Sequence, residues 1–138
     1  MATEVVDLLM VPPADPEARL DLERLQGTWA SVEGRRKAEF AFTGRHFTVR
    51  FRDGDIYTGA FDLVPDERPR TMIMYVHDGP AKHTGLTVMC IYELDGGGLR
   101  WCASQPGADD PPAEFPSCDD PRRLCLWLRR DTPLPKKG

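Results

Sequence analysis

Hydrophobic and polar residues alternate along most of the chain, which is the pattern of half-buried β-strands. From Thr28 onward the period is two, and turn signals rich in Gly, Pro and Asp recur at intervals of about 10–15 residues. Because no helical segment separates these runs, neighbouring strands are expected to pair antiparallel. Eight strands are predicted, at 28–33, 38–43, 45–52, 55–63, 71–78, 85–94, 99–105 and 123–130.

A short helix is predicted ahead of the strands. Asp15 is a favourable N-cap, Pro16 suits the first helical position, and Glu17 complements the positive end of the helix dipole. The helical pattern ends at Gly27. The apolar side, which is expected to lie on the strands as a lid or plug, consists of Leu20, Leu22 and Leu25.

Two turn sequences predict which residues share a face of the sheet. Asp53-Gly54 is a favoured two-residue type I′ turn, which would place Val49 opposite Thr58. With that register Phe61 breaks the alternation, which indicates a bulge near Gly59 or an outer face covered by another element. The strands on the two sides of the second turn, Asp95–Gly98, share an apolar face that consists of Val88, Cys90, Tyr92, Leu99, Trp101 and Ala103.

Eight consecutive antiparallel strands with one apolar face either close into a barrel or split into a sandwich. Closure removes exposed strand edges, and an eight-stranded barrel has room for packed side chains or for one small ligand. We therefore predict an all-β, eight-stranded antiparallel up-and-down barrel with a short N-terminal helix. The expected domain spans 15–131, with a flexible arm at 1–14 and a disordered tail at 132–138.

Several motifs in order resemble an uncharacterised family of bacterial lipocalin-like domains. They are the G-x-W motif of Gly27-Thr28-Trp29, the run Ile91–Gly96, Leu99-Arg100 with Cys102, Glu114-Phe115, and the closing Leu128-Arg129-Arg130. The resemblance covers about Leu22 to Arg130 and implies a lipocalin-like (calycin) barrel. It also implies that Trp29 closes one end of the barrel against a basic residue of the last strand, Arg129 or Arg130. The family has no agreed activity, so the resemblance implies a fold and not a function.

The length of the chain and its net charge limit the functions that are expected of it. The 138 residues correspond to one domain, and the net charge of −4 argues against a sequence-independent nucleic-acid binder. The apolar run Val5–Val11 contains Asp7 and lacks a basic region before it, unlike a signal peptide. No apolar run is long enough to span a bilayer. We therefore expect a cytoplasmic protein with no membrane partner.

The inner face of the predicted barrel is the candidate ligand site. A lumen lined by apolar and aromatic side chains, with a few polar groups, suits a small hydrophobic molecule. The same residues could instead fill the interior as core. The predicted ligand-binding residues are Phe47, Val49, Phe51, Thr58, Met74, Val88, Tyr92 and Trp101.

Metal and nucleophile motifs are not found in the sequence. Cys90, Cys102, Cys118 and Cys125 contain no C-x-x-C pair, and reduced thiols are expected inside a cell. The histidines His46, His77 and His83 fit no metal-ligand spacing, and no nucleophile elbow is present, so no metal or cofactor is predicted.

Two alternative functions fit the same pattern. In one, the barrel is filled and works as an interaction or self-association module, for example a homodimer. Its outer apolar patch would consist of Met89, Ile91, Phe61 and Trp127. In the other, the protein is a cofactor-free isomerase or cyclase that shapes a hydrophobic substrate.

Overall fold

Eight antiparallel strands close into a barrel in which the last strand pairs with the first. This computed structural model describes residues 15–34, 36–115 and 123–130. The predicted up-and-down barrel with a short helix is confirmed. Its elements are α1 (Pro16–Leu25), β1 (Gly27–Glu33), β2 (Ala38–Thr43), β3 (His46–Phe51), β4 (Ile56–Val64), β5 (Thr71–Asp78), β6 (Thr87–Asp95), β7 (Gly98–Ala103) and β8 (Leu124–Arg130).

Some expectations fall outside these ranges. The predicted arm at 1–14, the predicted tail at 132–138 and Cys118 belong to parts of the chain that the structure does not describe. Within the described ranges, α1 is the one α-helix. It is not long and apolar enough to cross a membrane.

The hairpin between β3 and β4 differs from the predicted register by one residue. The Phe51 N–H donates to the Asp55 carbonyl at 2.8 Å, and the Gly54 N–H donates to the Phe51 carbonyl at 3.0 Å. This is a three-residue loop in which Gly54 adopts a positive φ of 112°, instead of a two-residue turn. The same Asp53-Gly54 dipeptide suits both turns, so the dipeptide alone did not determine the register.

The one-residue shift reverses which residues of β4 face the interior. Val49 lies opposite Tyr57, and Thr58 lies opposite Thr48 on the outer face. The prediction that Thr58 lines the lumen was therefore wrong. With the observed register Phe61 needs no break in alternation, because it follows Tyr57 by four residues and faces inward.

A bulge near Gly59 is confirmed, on the side of β4 that pairs with β5. Thr58 pairs with Asp78 whereas Gly59 pairs with Val76, so β5 has one extra residue at His77. A Cβ atom at Gly59 would lie 1.8 Å from the Tyr75 carbonyl oxygen. Glycine is therefore required at Gly59 by the close approach of the two backbones.

The helix α1 covers one end of the barrel. Asp15 caps it as predicted, its carboxylate accepting the Glu17 N–H at 3.1 Å. Ala18 and Leu25 are buried, but Leu20 is 46% exposed, so the prediction that Leu20 lies on the strands was wrong. The helix instead buries Asp21, which sits one turn before Leu25 on the same side.

The buried Asp21 carboxylate joins the helix to the barrel wall. Its Oδ2 accepts a hydrogen bond from the Tyr92 hydroxyl at 2.7 Å and one from Arg70 at 2.7 Å. A second nitrogen of Arg70 reaches Glu17 on the same helix at 2.7 Å. A buried carboxylate is tolerated only when it is paired and hydrogen-bonded, and this one is both.

Trp29 closes the same end, as the family resemblance implies. Its indole N–H donates to the Leu25 carbonyl at 2.8 Å, and its side chain is fully buried. The guanidinium of Arg130 lies 4.4 Å from the ring centroid and also donates to the Gln26 carbonyl. Of the two candidate residues it is Arg130 that makes this contact, since Arg129 is exposed. Gly27 adopts a φ of 113° at the junction of helix and strand.

Candidate functional site

The barrel interior is filled at the helix end and hollow at the other. A T-shaped aromatic cluster packs the filled half, with ring centroids 5.2 Å apart for Phe42 and Phe61 and 4.9 Å apart for Phe40 and Trp101. Beyond Trp101 lies a cavity of about 470 Å³. A volume of that size is within the usual range for small-molecule sites. The lumen is therefore packed in one half and contains a cavity in the other.

The cavity wall is mainly apolar. The strands β3 to β8 each contribute inward-facing side chains. The wall consists of Phe47, Val49, Phe51, Tyr57, Met74, Val76, Val88, Trp101, Ala103 and Leu124. Six of the eight predicted ligand-binding residues are in this set, namely Phe47, Val49, Phe51, Met74, Val88 and Trp101.

The other two predicted residues lie elsewhere. Thr58 is on the outer face, for the register reason given above. Tyr92 points into the barrel but is in the filled half, where its hydroxyl donates to Asp21. The sequence periodicity placed Tyr92 on the correct face, but it contained no information about depth along the barrel axis.

Near the cavity floor, the thiol of Cys90 is inert packing. Its sulfur lies 3.6 Å from the Met74 sulfur and is fully buried. Burial strongly raises the pKa of this thiol, and the Trp101 indole lowers it by a smaller amount. A neutral, inaccessible thiol is a poor nucleophile, so Cys90 contributes apolar surface.

The mouth of the cavity is at the end opposite α1, among the loops that follow β1, β3, β5 and β7. There Tyr57 and His83 form a hydrogen bond of 2.7 Å between the hydroxyl and Nδ1, and their rings stack with centroids 5.8 Å apart. Burial raises the pKa of the Tyr57 hydroxyl, and the nearby Asp55 raises it further. The phenol is therefore neutral at pH 7 and able to donate a hydrogen bond.

Arg36 is also at the mouth and is held by several contacts. Its guanidinium lies 3.6 Å from the Phe51 ring centroid and pairs with Asp53 at 2.8 Å and Asp55 at 3.2 Å. The backbone N–H of Asp55 and the Arg36 side chain lower the pKa of Asp53, which keeps that carboxylate ionised. Arg36 thus ties the β1–β2 loop to the β3–β4 loop at the mouth.

Arg123 lines the mouth from the start of β8. In the closed strand order β8 is four strands from β4, so Arg123 and Tyr57 stand on opposite sides of the opening. Among the described residues, no carboxylate lies within ion-pair distance of Arg123. Ser104 and Gln105 add polar groups to the same mouth.

These mouth residues were absent from the sequence-based site. A three-residue hairpin loop between β3 and β4 turns Tyr57 inward, so that loop length predicts Tyr57 as a lining residue. His83 and Arg123 lie in or beside loops, where no periodicity indicates direction. Only the folded barrel brings them to one opening.

The described residues contain no group of three or more His, Cys, Asp and Glu side chains placed to hold a metal ion. His83 pairs with Tyr57, whereas His46 and His77 are exposed at separate places on the surface. The described cysteines are buried and none forms a disulfide. Cys102 and Cys125 lie opposite each other on β7 and β8, beneath Phe115.

Of the four residues predicted to form an outer apolar patch, two are buried, and Met89 and Trp127 are half-buried. Phe61 is in the core, and Ile91 is fully buried beneath Phe115. Trp127 is half-buried, with the Arg100 guanidinium 4.6 Å from its ring centroid. Among the described residues, the exposed large apolar side chains are Leu20, Val32 and Ile56, which lie on three different elements.

Comparison of the chain with protein-family models, with curated proteins and with solved structures gave no match. The lipocalin-like resemblance therefore stays a prediction.

Proposed function

We propose that the protein binds a small, largely apolar molecule in the hollow half of its barrel. The observation that carries this proposal is the cavity of about 470 Å³ with an apolar wall and a polar mouth. Transfer of apolar surface into such a wall is favourable, at roughly 25 cal/mol per Å² removed from water. The polar groups are confined to the opening, where a ligand can keep a polar end near water.

The architecture supports the proposal because the cavity and the stabilising contacts are separated. The anchor of Asp21 with Tyr92 and the stack of Arg130 on Trp29 are at the helix end. The cavity opens at the loop end, so a molecule can enter and leave without breaking either contact.

The test uses an uncharged fluorescent reporter, N-phenylnaphthylamine, whose emission rises in apolar surroundings. We expect saturable binding by the native protein. Val88 is half-buried in the cavity wall, so Val88→Trp should fill the space and reduce reporter affinity by at least about 10-fold, the loss of a well-buried apolar contact. The control is Val32→Trp on β1, where Val32 is 52% exposed.

The proposal is wrong if the native protein gives no saturable signal, or if Val32→Trp and Val88→Trp reduce binding equally. Native mass spectrometry of the freshly purified protein adds an independent readout. A releasable small molecule that is retained by Val32→Trp and lost in Val88→Trp would identify the cavity as its site.

A second candidate function is proton transfer to or from a bound apolar substrate. The observation that favours it is the 2.7 Å hydrogen bond between Tyr57 and His83 at the cavity mouth, a pairing able to act as acid and base. The test is deuterium uptake from heavy water into the α-carbon of an alkyl cyclohexanone. Uptake that is lost in His83→Gln, while N-phenylnaphthylamine still binds, would support catalysis; equal uptake with and without protein would refute it.

A further inference from the structure

Two arginines line the cavity mouth of a chain whose net charge is negative. The protein has 22 acidic and 18 basic residues, giving a net charge of −4. The lining includes Arg36 and Arg123, whereas the nearby carboxylates of Asp53 and Asp55 pair with Arg36 from the adjoining loop. An arginine at an opening attracts anions when its charge is not already paired with a carboxylate.

The two arginines at the mouth differ in how much of their charge is available. Arg36 is neutralised locally, because it pairs with both Asp53 and Asp55. Arg123 is exposed and has no carboxylate partner among the described residues. A ligand anion can therefore pair with Arg123 without displacing an existing ion pair.

One hydrogen-bond donor lies across the opening from Arg123, because the Tyr57–His83 pair uses one proton in its own hydrogen bond and keeps the other free to donate. The Tyr57–His83 pair stands on the opposite side, and the neutral Tyr57 hydroxyl and the His83 ring are both in the cavity lining. Below them the wall is apolar down to Trp101. The site thus has a cationic, hydrogen-bonding rim above an apolar chamber.

We propose that the ligand is an amphipathic anion, whose carboxylate or similar acidic group sits at the mouth beside Arg123 while its apolar body fills the chamber. This inference rests on the proposed function, because it specifies the chemical class of the molecule in the same cavity. A carboxylate at this position keeps one side in water, so it forms a charge-assisted hydrogen bond without complete desolvation.

The experiment compares three molecules with the same alkyl chain and different head groups: decanoate, decanol and decylammonium. Each displaces N-phenylnaphthylamine from the native protein at pH 7 and physiological salt. We expect decanoate to bind tightest and decylammonium weakest, with about 10-fold between them, as one partly exposed charge-assisted hydrogen bond would give.

Two arginine variants locate the effect. Arg123→Gln should reduce decanoate affinity by about 5–10-fold and leave decanol within about 2-fold, because only the charged head group loses its partner. Arg129→Gln removes the same charge from the other end of β8, where Arg129 is exposed, and should change none of the three affinities.

The outcomes separate this inference from the proposed function. If the reporter itself fails to bind, both are overturned. If the reporter binds and all three head groups compete equally, the cavity is real and the inference is wrong. It is also wrong if Arg129→Gln weakens decanoate as much as Arg123→Gln does, since net charge alone would then explain the preference.

Discussion

The Tyr92 hydroxyl donates a 2.7 Å hydrogen bond to the Asp21 carboxylate, joining the barrel wall to the helix that closes it. The two residues are 71 positions apart in the chain. Arg70 donates to the same carboxylate oxygen from the end of the barrel, so three separate segments meet at one buried charge. This contact sets how firmly the closed end is held.

Removing Arg70 should cost more stability than removing the charge of Asp21. Arg70→Gln leaves the buried carboxylate with only the neutral Tyr92 donor, which should lower the free energy of unfolding by about 3 kcal/mol. Asp21→Asn leaves Arg70, whose side chain is 32% exposed, still paired with Glu17, and should cost about 1 kcal/mol. Urea unfolding of both variants measures the difference.

The control for this pair is the surface ion pair of Arg45 and Asp62, which are 3.5 Å apart. Arg45→Gln should cost less than about 1 kcal/mol, because the Asp62 side chain is 45% exposed and stays solvated, whereas that of Asp21 is 4% exposed. Equal losses for Arg45→Gln and Arg70→Gln would contradict the anchoring role of Asp21.

Because of Tyr92, the free energy of unfolding should depend on pH in the alkaline range. Burial raises the pKa of its hydroxyl far above the usual value near 10.0, and the hydrogen bond to Asp21 raises it further. Above pH 10 the unfolded chain therefore loses this proton while the folded protein keeps it. The contribution of Tyr92 to the free energy of unfolding is therefore complete below pH 10. Above pH 10 it declines by about 1.4 kcal/mol per pH unit.

Tyr92→Phe removes this titration, so the difference in unfolding free energy between the native protein and the variant should shrink from pH 9 to pH 11. Cys90, whose thiol pKa is also raised by burial, is present in both proteins and cancels in the comparison. A difference that stays constant across this range would show that Tyr92 ionises equally in both states.

Two consecutive arginines on β8 allow a matched comparison. Arg130 lies over the Trp29 ring and donates to the carbonyls of Arg24 and Gln26 at the end of α1. Arg130→Met should lower the free energy of unfolding by about 2–3 kcal/mol through the loss of these contacts. Arg129→Met removes the same charge from an exposed position and should stay within about 0.5 kcal/mol. The measurement is unfolding by guanidinium chloride. Equal free energies of unfolding for the two variants would refute the stacking role of Arg130.

The bulge of β5 opposite Gly59 predicts a strong glycine requirement at that position. Gly59→Ala would place a methyl group 1.8 Å from the Tyr75 carbonyl oxygen, so the two strands must separate. We expect a loss of about 3 kcal/mol or more, the upper end for overpacking. Gly97→Ala is the control, because no atom lies within 4 Å of its added Cβ. Thermal unfolding of the two variants should differ clearly; equal melting temperatures would mean that the strands yield at little cost.

The strand pattern was predictable because a period of two and regular turn signals need only local information. All eight strands and the Asp15 cap follow from the sequence in this way. The register of β3 against β4 was not predictable from Asp53-Gly54, since a two-residue turn and a three-residue loop use the same dipeptide. The one-residue difference in loop length decided whether Thr58 or Tyr57 faced the cavity.

The buried Asp21 was unpredictable for a different reason. An acidic residue on an amphipathic helix is usually solvated, and the partners that make its burial tolerable are 49 and 71 positions away. The polar groups of the cavity mouth were unpredictable for the same reason, because only the folded barrel places Arg123 and His83 at one opening. Local patterns predicted the wall of the site, and tertiary structure determined its polar groups.

Ring closure between β1 and β8 also governs how the chain acquires its structure. Arg130 bonds to Gln26 across 104 positions, so this ladder cannot form before β8 has been synthesised. Until then, β1 and β7 have unpaired edges that can pair with strands of other chains. Barrel closure is therefore the last strand pairing that becomes possible as the chain emerges, with the millisecond-to-second timescale typical of long-range strand pairing. During synthesis, the interval before β8 emerges is the period in which aggregation competes with folding.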